Sequence, residues 1–456
     1  MAEAAGLRQA ETSAESGAAA ARAPAVSLGE RVRVLRAAAG LTQTELAGGR
    51  VSKEYVSQVE RGKTRPNAEM LDWLAARLGT DRAFLQHGIS TADAVRAESQ
   101  LERAEGLSER HRYAEAIREF RATAAVADLG SAPSLALRAL VGEAWAHSQQ
   151  GRVDEALDLL EQARAVADDP ACSDAGRAGV LYQIGVCRYK QSRIAEALAL
   201  FRRALQLAVR SGEGCEGLRS DIHHWRSRCY RRQREWDAAR EDIAFALELA
   251  EGIGDRHRTA AAYFQASLVA EREGNWLLAR QHGERARELF EELGDVGNVG
   301  RMLNNLGGIN HLLGNDERAI ELLGEAFARF VETGLAADAG HVLCSLAEVH
   351  LAMGNADRAE VEARKALDLL AGRDAYLHEI GTAQLVLARA ELEQGRLDEA
   401  EQTILAADRS FETIGSVSHR ANAWVAQGDL AKRRGDTREA GRHYRRAAEA
   451  LQDARF

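Results

Sequence analysis

Nine alanines, Ala116, Ala156, Ala197, Ala239, Ala279, Ala319, Ala359, Ala400 and Ala440, recur at steps of 40 to 42 residues. Each opens a helix after a polar turn such as GRVDEA (151–156), GNDERA (314–319) or GRLDEA (395–400). Twelve positions before each stands a small residue, in order Ala104, Ala144, Gly185, Ser227, Ser267, Gly307, Ala347, Ala388 and Gly428, which lets two helices approach closely. A self-similar period of this length marks stacked helix pairs, each too small to bury its apolar face alone. Such an array has no single core to outgrow, so a length of 456 residues does not call for several globules. Only 4 Pro and 5% aromatics, beside abundant Ala, Leu, Glu and Arg, predict an all-α chain without strands.

The first part of the chain falls outside this period. Residues 1–26 are rich in Ala, Glu, Ser and Gly, have little to bury, and predict a disordered tail. From 27 to 89 the pattern is that of a compact helical bundle. Leu28, Val32 and Leu35 share one helical face, and Gly40 stops that helix. TQTE (42–45) is a capping box opening a short second helix to about Ala47. Gly48 and Gly49 supply the turn, Ser52 caps a third helix through Arg61, and Gly62 closes it. Pro66 and Asn67 begin a fourth, with Met70, Leu71, Leu74 and Leu78 facing the core and Phe84 and Leu85 packing after it.

The segment GLTQTELAGGRVSKEYVSQVERGKTRP (40–66) resembles the Xre-like helix-turn-helix family of phage-repressor type. Leu41, Gln43, Leu46, Ala47, Ser52, Tyr55, Val56, Ser57, Val59, Glu60 and Gly62 carry the match, and the turn 47–52 is one residue shorter than usual. The repeats resemble the tetratricopeptide repeat in its longer form. The two resemblances imply an Xre/Cro-type bundle over 27–89 and, over 90–456, a right-handed superhelix of about nine helix pairs with a groove lined by the first helix of each. The combination resembles the RRNPP group of peptide-sensing regulators and, more closely, the Xre–tetratricopeptide regulators of high-GC Gram-positive bacteria.

In this family the third helix lies in the major groove, which implies base contacts from Lys53, Glu54 and Gln58. Gln43, Ser52, Lys63 and Arg65 are read as phosphate contacts, with Tyr55 in support, partly packing and partly touching the backbone. Charge placement agrees with that division. The net charge is -9, yet 27–89 carries +3, the first 26 residues -1 and the remainder -11, so the bundle can meet phosphate while the repeats repel it. A single bundle makes few phosphate contacts, so a homodimer placing two third helices about 34 Å apart is expected.

Outward positions on the first helices project a groove of Tyr182, Gln183, His224, Trp225, Arg228, Phe264, Gln265, Arg301, Asn304, Asn305, His341 and Ser345. Amides on successive helices can pair with an extended peptide backbone, the rings can hold its side chains, and the cations suit an acidic or C-terminal carboxylate. The competing reading makes Asn304 and Asn305 ordinary repeat consensus and the rings inter-repeat core.

Other classes fare worse. None of the patterns GxxxxGK[ST], HExxH or GxSxG occurs; GDVGNVG (294–300) falls where two repeats join; adjacent His223 and His224 cannot easily face one metal from a helix. No cofactor, metal site or catalytic residue is expected. The 5 cysteines form no CxxC pair, which suits reduced thiols in a cytoplasm. Neither a membrane span nor an export signal is expected. The functional expectation is a sequence-specific transcription regulator whose repeats bind a peptide, small-molecule or protein effector. One alternative is a DNA-tethered scaffold recruiting a protein partner without sensing. Another leaves the bundle as a protein-docking or dimerising domain.

Overall fold

The computed structural model describes residues 27–453 except 111, 127–131, 171, 213 and 373–375, so the expected tail lies outside the described residues. Among the described residues the structure is helical, with no strand. By their contacts the residues divide into two compact units, Met1–Gly212 and Glu213–Phe456, a division inside the repeats rather than at their start.

The bundle at the head of the first unit consists of α1 (Leu28–Ala38), α2 (Gln43–Ala47), α3 (Lys53–Glu60), α4 (Ala68–Arg77) and α5 (Arg82–His87). The capping box forms as its sequence requires: the Thr42 hydroxyl accepts from the Glu45 amide at 3.2 Å and the Glu45 carboxylate accepts from the Thr42 amide at 2.7 Å. Gly48 and Gly49 both take left-handed backbone, with φ of 52° and 75°, turning the chain between α2 and α3. Two details depart from expectation. α3 ends at Glu60 because Arg61 is its C-cap, and Phe84 and Leu85 stand in a helix of their own, capped by Asp81.

Val32, Leu46, Val56, Val59, Leu71, Leu74 and Leu85 form the bundle core. Beside it, Arg36 Nε lies 2.6 Å from a carboxylate oxygen of Glu60, whose side chain is 4% exposed, and Gln43 Nε2 donates to the other oxygen at 2.7 Å. A buried carboxylate is tolerated only when paired and hydrogen-bonded. Glu60 thus fastens α1 and α2 to the C-terminal end of α3. Gly29 lets α1 touch that same end, for a Cβ added there would stand 2.4 Å from the Val59 carbonyl oxygen.

The rest of the first unit is three helix pairs: α6 (Thr91–Glu109) with α7 (Tyr113–Val126), α8 (Pro133–Gln149) with α9 (Val153–Ala167), and α10 (Asp174–Lys190) with α11 (Ile194–Ser211). The second unit begins with α12 (Glu216–Gln233) and α13 (Trp236–Gly252), α14 (Arg256–Arg272) and α15 (Trp276–Glu292), and α16 (Val296–Leu312) and α17 (Asp316–Glu332). It continues with α18 (Ala336–Ala352) and α19 (Ala356–Leu370), α20 (Leu377–Glu393) and α21 (Leu397–Thr413), and α22 (Val417–Arg433) and α23 (Thr437–Asp453).

All nine period-marking alanines are buried, as are their small partners twelve residues earlier. The approach is close enough for the Ser267 hydroxyl to donate directly to the Ala279 carbonyl at 2.8 Å. At Gly185 a Cβ would meet the Phe201 ring at 2.6 Å. Phe120, Phe201, Phe290, Phe330 and Phe411 are the bulkiest fully buried side chains, and Phe120, Phe330 and Phe411 stand against Gly142, Gly300 and Gly381 as Phe201 does against Gly185.

The turn inside each of the eight pairs from α8–α9 onward takes left-handed backbone. Gly151, Gly274, Gly314, Gly354, Gly395 and Gly435 supply it, with φ between 75° and 83°. Ser192 and Arg234 hold the same position with φ of 63°, where a Cβ is unfavourable. All five cysteines are buried and none is in a disulfide, and burial pushes the Cys229 and Cys344 thiols up to about 12.

Candidate functional site

The exposed face of the bundle is organised by the start of α3. The Ser52 hydroxyl accepts from the Tyr55 amide at 3.1 Å, which fixes Lys53 and Glu54 in the first turn; both are exposed, as is Gln58 one turn on. The Glu54 carboxyl sits below its ordinary value through its own backbone N–H, the Ser52 hydroxyl and nearby Lys53, so it is an acceptor at neutral pH. Tyr55 is half-buried against the core. Lys63 and Arg65 are exposed beyond the end of α3. Gln43 is half-buried, with one of its amide N–H donors spent on Glu60. The Gln58 carbonyl accepts from the Thr64 hydroxyl at 3.0 Å, which holds that side chain against the loop after α3.

In the repeats the projected groove is divided. Tyr182, Trp225 and Gln265 are buried, so their projection as outward residues is corrected. Tyr182 packs its ring 6.1 Å from Phe201, and Trp225 lies under the Arg228 guanidinium, 4.1 Å from the ring centroid. The cause is the width of the apolar stripe: a helix sandwiched between two neighbours buries far more than one face. Gln183 and His224 are half-buried.

Six projected residues, Phe264, Arg301, Asn304, Asn305, His341 and Ser345, come together around one open pocket of about 400 Å³, carried by α14, α16 and α18. Asn305 is engaged within the protein, its side-chain oxygen 2.9 Å from the Ser267 hydroxyl, whose one proton it shares with the Ala279 carbonyl, and its amide donating to Glu271 at 3.1 Å. Asn304 differs, because its side-chain carbonyl is buried with no hydrogen-bond partner. Arg301 pairs with Asp338 at 3.0 Å, so its charge is already balanced. Glu271 and Asp338 line the pocket too and escaped the sequence reading. The signal for Asp338 was a spacing: Arg301 and Asp338, like Asp221 and Arg258, stand 37 residues apart, one period less a helical turn.

Among sequence-family models, one described as a helix-turn-helix domain matches residues 27–87. Models described as tetratricopeptide repeat match 101–171, 180–208, 218–292 and 265–331. The protein is an Xre-type helix-turn-helix domain joined to tetratricopeptide repeats. None of the curated proteins matches the chain in sequence. Solved structures share the fold. A Rap protein complexed with Competence and Sporulation Factor aligns with a TM-score of 0.60 at 14% identity, covering 78% of this chain and 98% of its own. The apo form of the quorum sensor NprR from B. thuringiensis aligns with 0.58 at 13% identity over the same shares. Aspartyl phosphate phosphatase F from Bacillus subtilis aligns with 0.52 at 14% identity, covering 78% and 94%. The tetratricopeptide pairs continue past the last matched residue, through α18 to α23.

The matched families are of regulator and scaffold type, not enzyme families. Among the described residues no group of three or more His, Cys, Asp or Glu side chains is placed to hold a metal, and no helix is long and apolar enough to cross a membrane.

Histidines give the second unit a pH dependence. Burial first, then Arg228, Arg231 and His257, push His224 from an ordinary 6.5 down to about 3. The unfolded chain therefore takes up this proton before the folded one does. Stability from His224 is complete above 6.5 and drains as the pH falls towards 3, with a limiting slope of about 1.4 kcal/mol per pH unit. His282, His350 and His419 are lowered by burial in the same direction. His257 opposes them: a hydrogen bond to Asp295 raises it, so its contribution is present below 6.5 and is lost as the pH rises. The urea midpoint is expected to fall on acidification from neutrality, and His224→Asn is expected to flatten that fall. A pH-independent midpoint in the parent protein contradicts the assignment.

Proposed function

We propose that the protein is a cytoplasmic, dimeric, sequence-specific transcription regulator whose tetratricopeptide repeats bind a peptide effector that modulates DNA binding. The observation that carries the reading is the pocket on α14, α16 and α18. Three successive first helices there present an apolar ring from Phe264, an unpartnered buried carbonyl from Asn304, and the Arg301–Asp338 pair. An extended peptide offers the matching set, since its backbone N–H groups donate to such a carbonyl and its side chains pack on the ring. The bundle supplies the other half, with Lys53, Glu54 and Gln58 exposed along α3. An effector shifts DNA affinity only by as much as it binds one state better than the other. The fold is shared with a Rap protein solved in complex with Competence and Sporulation Factor and with the quorum sensor NprR, which supports a tetratricopeptide body of this kind as the effector-binding part.

The test is selection of duplexes from a random pool by the full-length protein, repeated after exposure to a peptide library from which retained members are identified by mass. An inverted repeat with half-sites about one helical turn apart is expected. Retained peptides are expected to change its occupancy. Phe264→Ala and Asn304→Ala are each expected to weaken peptide retention about tenfold, the worth of one lost contact near 1.4 kcal/mol, without altering the selected sequence. Enrichment of a sequence whose occupancy no retained peptide changes rejects the sensing half.

A further inference from the structure

In the second unit, first helices of neighbouring pairs are bridged by opposite charges. Asp221 on α12 meets Arg258 on α14 at 2.8 Å, and Arg301 on α16 meets Asp338 on α18 at 3.0 Å. Between α20 and α22 the bridging side chains are two of one kind, His378 and His419, 41 residues apart. Two imidazoles cannot neutralise each other as those ion pairs do, yet Nε2 of His378 lies 2.9 Å from Nε2 of His419.

The outer nitrogens have polar neighbours of their own. Nδ1 of His419 lies 2.7 Å from the Ser416 hydroxyl, and Nδ1 of His378 faces the Glu379 carboxylate at 3.9 Å. A neutral imidazole carries one N–H, and an acceptor beside Nδ1 favours it there, which leaves the lone pair on Nε2. Two lone pairs then converge across 2.9 Å, an arrangement that a bound cation turns from repulsive to favourable. The rings stand at 81° to one another with centroids 4.3 Å apart. Phe411 closes one side, its ring 5.2 Å from that of His419 and 6.4 Å from that of His378. Arg420, next along α22, is paired with Asp408 and Glu412, each at 2.9 Å, so its charge is balanced without the histidines.

We propose that His378 and His419 form a site for a divalent transition-metal ion of the zinc or nickel kind, with water filling the positions that the protein leaves open. Bonds of about 2.05 Å to one ion set two nitrogens about 2.9 Å apart at a right angle and about 3.3 Å apart at the tetrahedral angle. Ring movements of a few tenths of an ångström therefore span both geometries. Imidazole suits both ions, and a polar partner on the outer nitrogen is what orients a ligating ring. Both rings are half-buried, which leaves the ion a path from solvent. With two protein ligands the site is open and exchangeable, unlike a closed structural site of four. Its occupant ties α20 to α22 and so fastens one helix pair to the next.

Isothermal titration of the full-length protein, stripped with chelator and carrying no polyhistidine tag, tests this with zinc, nickel and magnesium chlorides. Zinc and nickel are expected to bind one per chain, and magnesium, which prefers oxygen ligands, to give no heat. His378→Ala and His419→Ala are each expected to weaken zinc at least tenfold, whereas His443→Ala, on α23, leaves it unchanged. Without metal each variant is expected to melt as the parent does, which separates loss of the ion from loss of the fold. A second measurement needs no substitution: zinc is expected to slow amide exchange in α20 and α22 of the parent protein and not in the bundle. The proposal is overturned if neither zinc nor nickel binds, which leaves the rings joined by a single hydrogen bond. It is overturned equally if both histidine variants bind zinc as the parent does, or if bound zinc leaves exchange in α20 and α22 unaltered.

Discussion

Lys53→Ala combined with Glu54→Ala is expected to leave the protein folded and almost blind to DNA sequence. Both side chains stand exposed in the first turn of α3, held there by the Ser52 cap, and neither supports the core. A good base contact contributes about 2 kcal/mol of discrimination, so losing two lowers the ratio of specific to random affinity by roughly 1,000-fold per bundle. Affinity for random DNA depends on phosphate contacts and is expected to change little. Lys63→Ala and Arg65→Ala should do the reverse, weakening every sequence alike and reducing the salt slope by about one each. Competition titrations of the selected site against random duplex, run at two salt concentrations, separate the patterns. Unchanged selectivity in a folded Lys53→Ala, Glu54→Ala double variant would place sequence reading elsewhere and favour a docking role for the bundle.

Gly29→Ala is expected to unfold the bundle alone. The new methyl would sit 2.4 Å from the Val59 carbonyl oxygen and 2.6 Å from that of Glu60. These are backbone atoms, which cannot swing away as a side-chain end can. To make room α1 must leave the end of α3, and the Arg36–Glu60–Gln43 network must open with it. Overpacking of this kind costs about 3 kcal/mol or more, a large share of what a bundle of this size can hold. Hydrogen exchange is expected to show lost protection across 27–87 with the repeats unaffected, since each repeat depends only on its neighbours. Protection in the bundle equal to that of the parent protein rules out the close approach described for Gly29.

Much of this was legible because the determinants are local or periodic. The Thr42–Glu45 box and the Ser52 and Asn67 caps each lie within four residues and formed as their chemistry requires. The alanine period and its small partners were legible for a different reason: forty-residue repetition displays the same packing constraint nine times. Burial was harder. Tyr182, Trp225 and Gln265 sit at positions that one helix alone would turn outward, and only the stacking of neighbours hides them. Pairs such as Arg301 with Asp338 depend on two repeats at once, so reading along one helix passes over them.

The buried cysteines have a practical meaning. A thiol shielded by packing reacts with an alkylating reagent only while its surroundings are open. Cys172 and Cys187 therefore report on the first unit, and Cys215, Cys229 and Cys344 on the second. Labelling rates, resolved cysteine by cysteine, amount to a set of clocks built into the array, each timing the breathing of its own stretch of helices. The dial is not complete: the bundle and everything beyond Cys344 have no thiol, so motion there passes unrecorded.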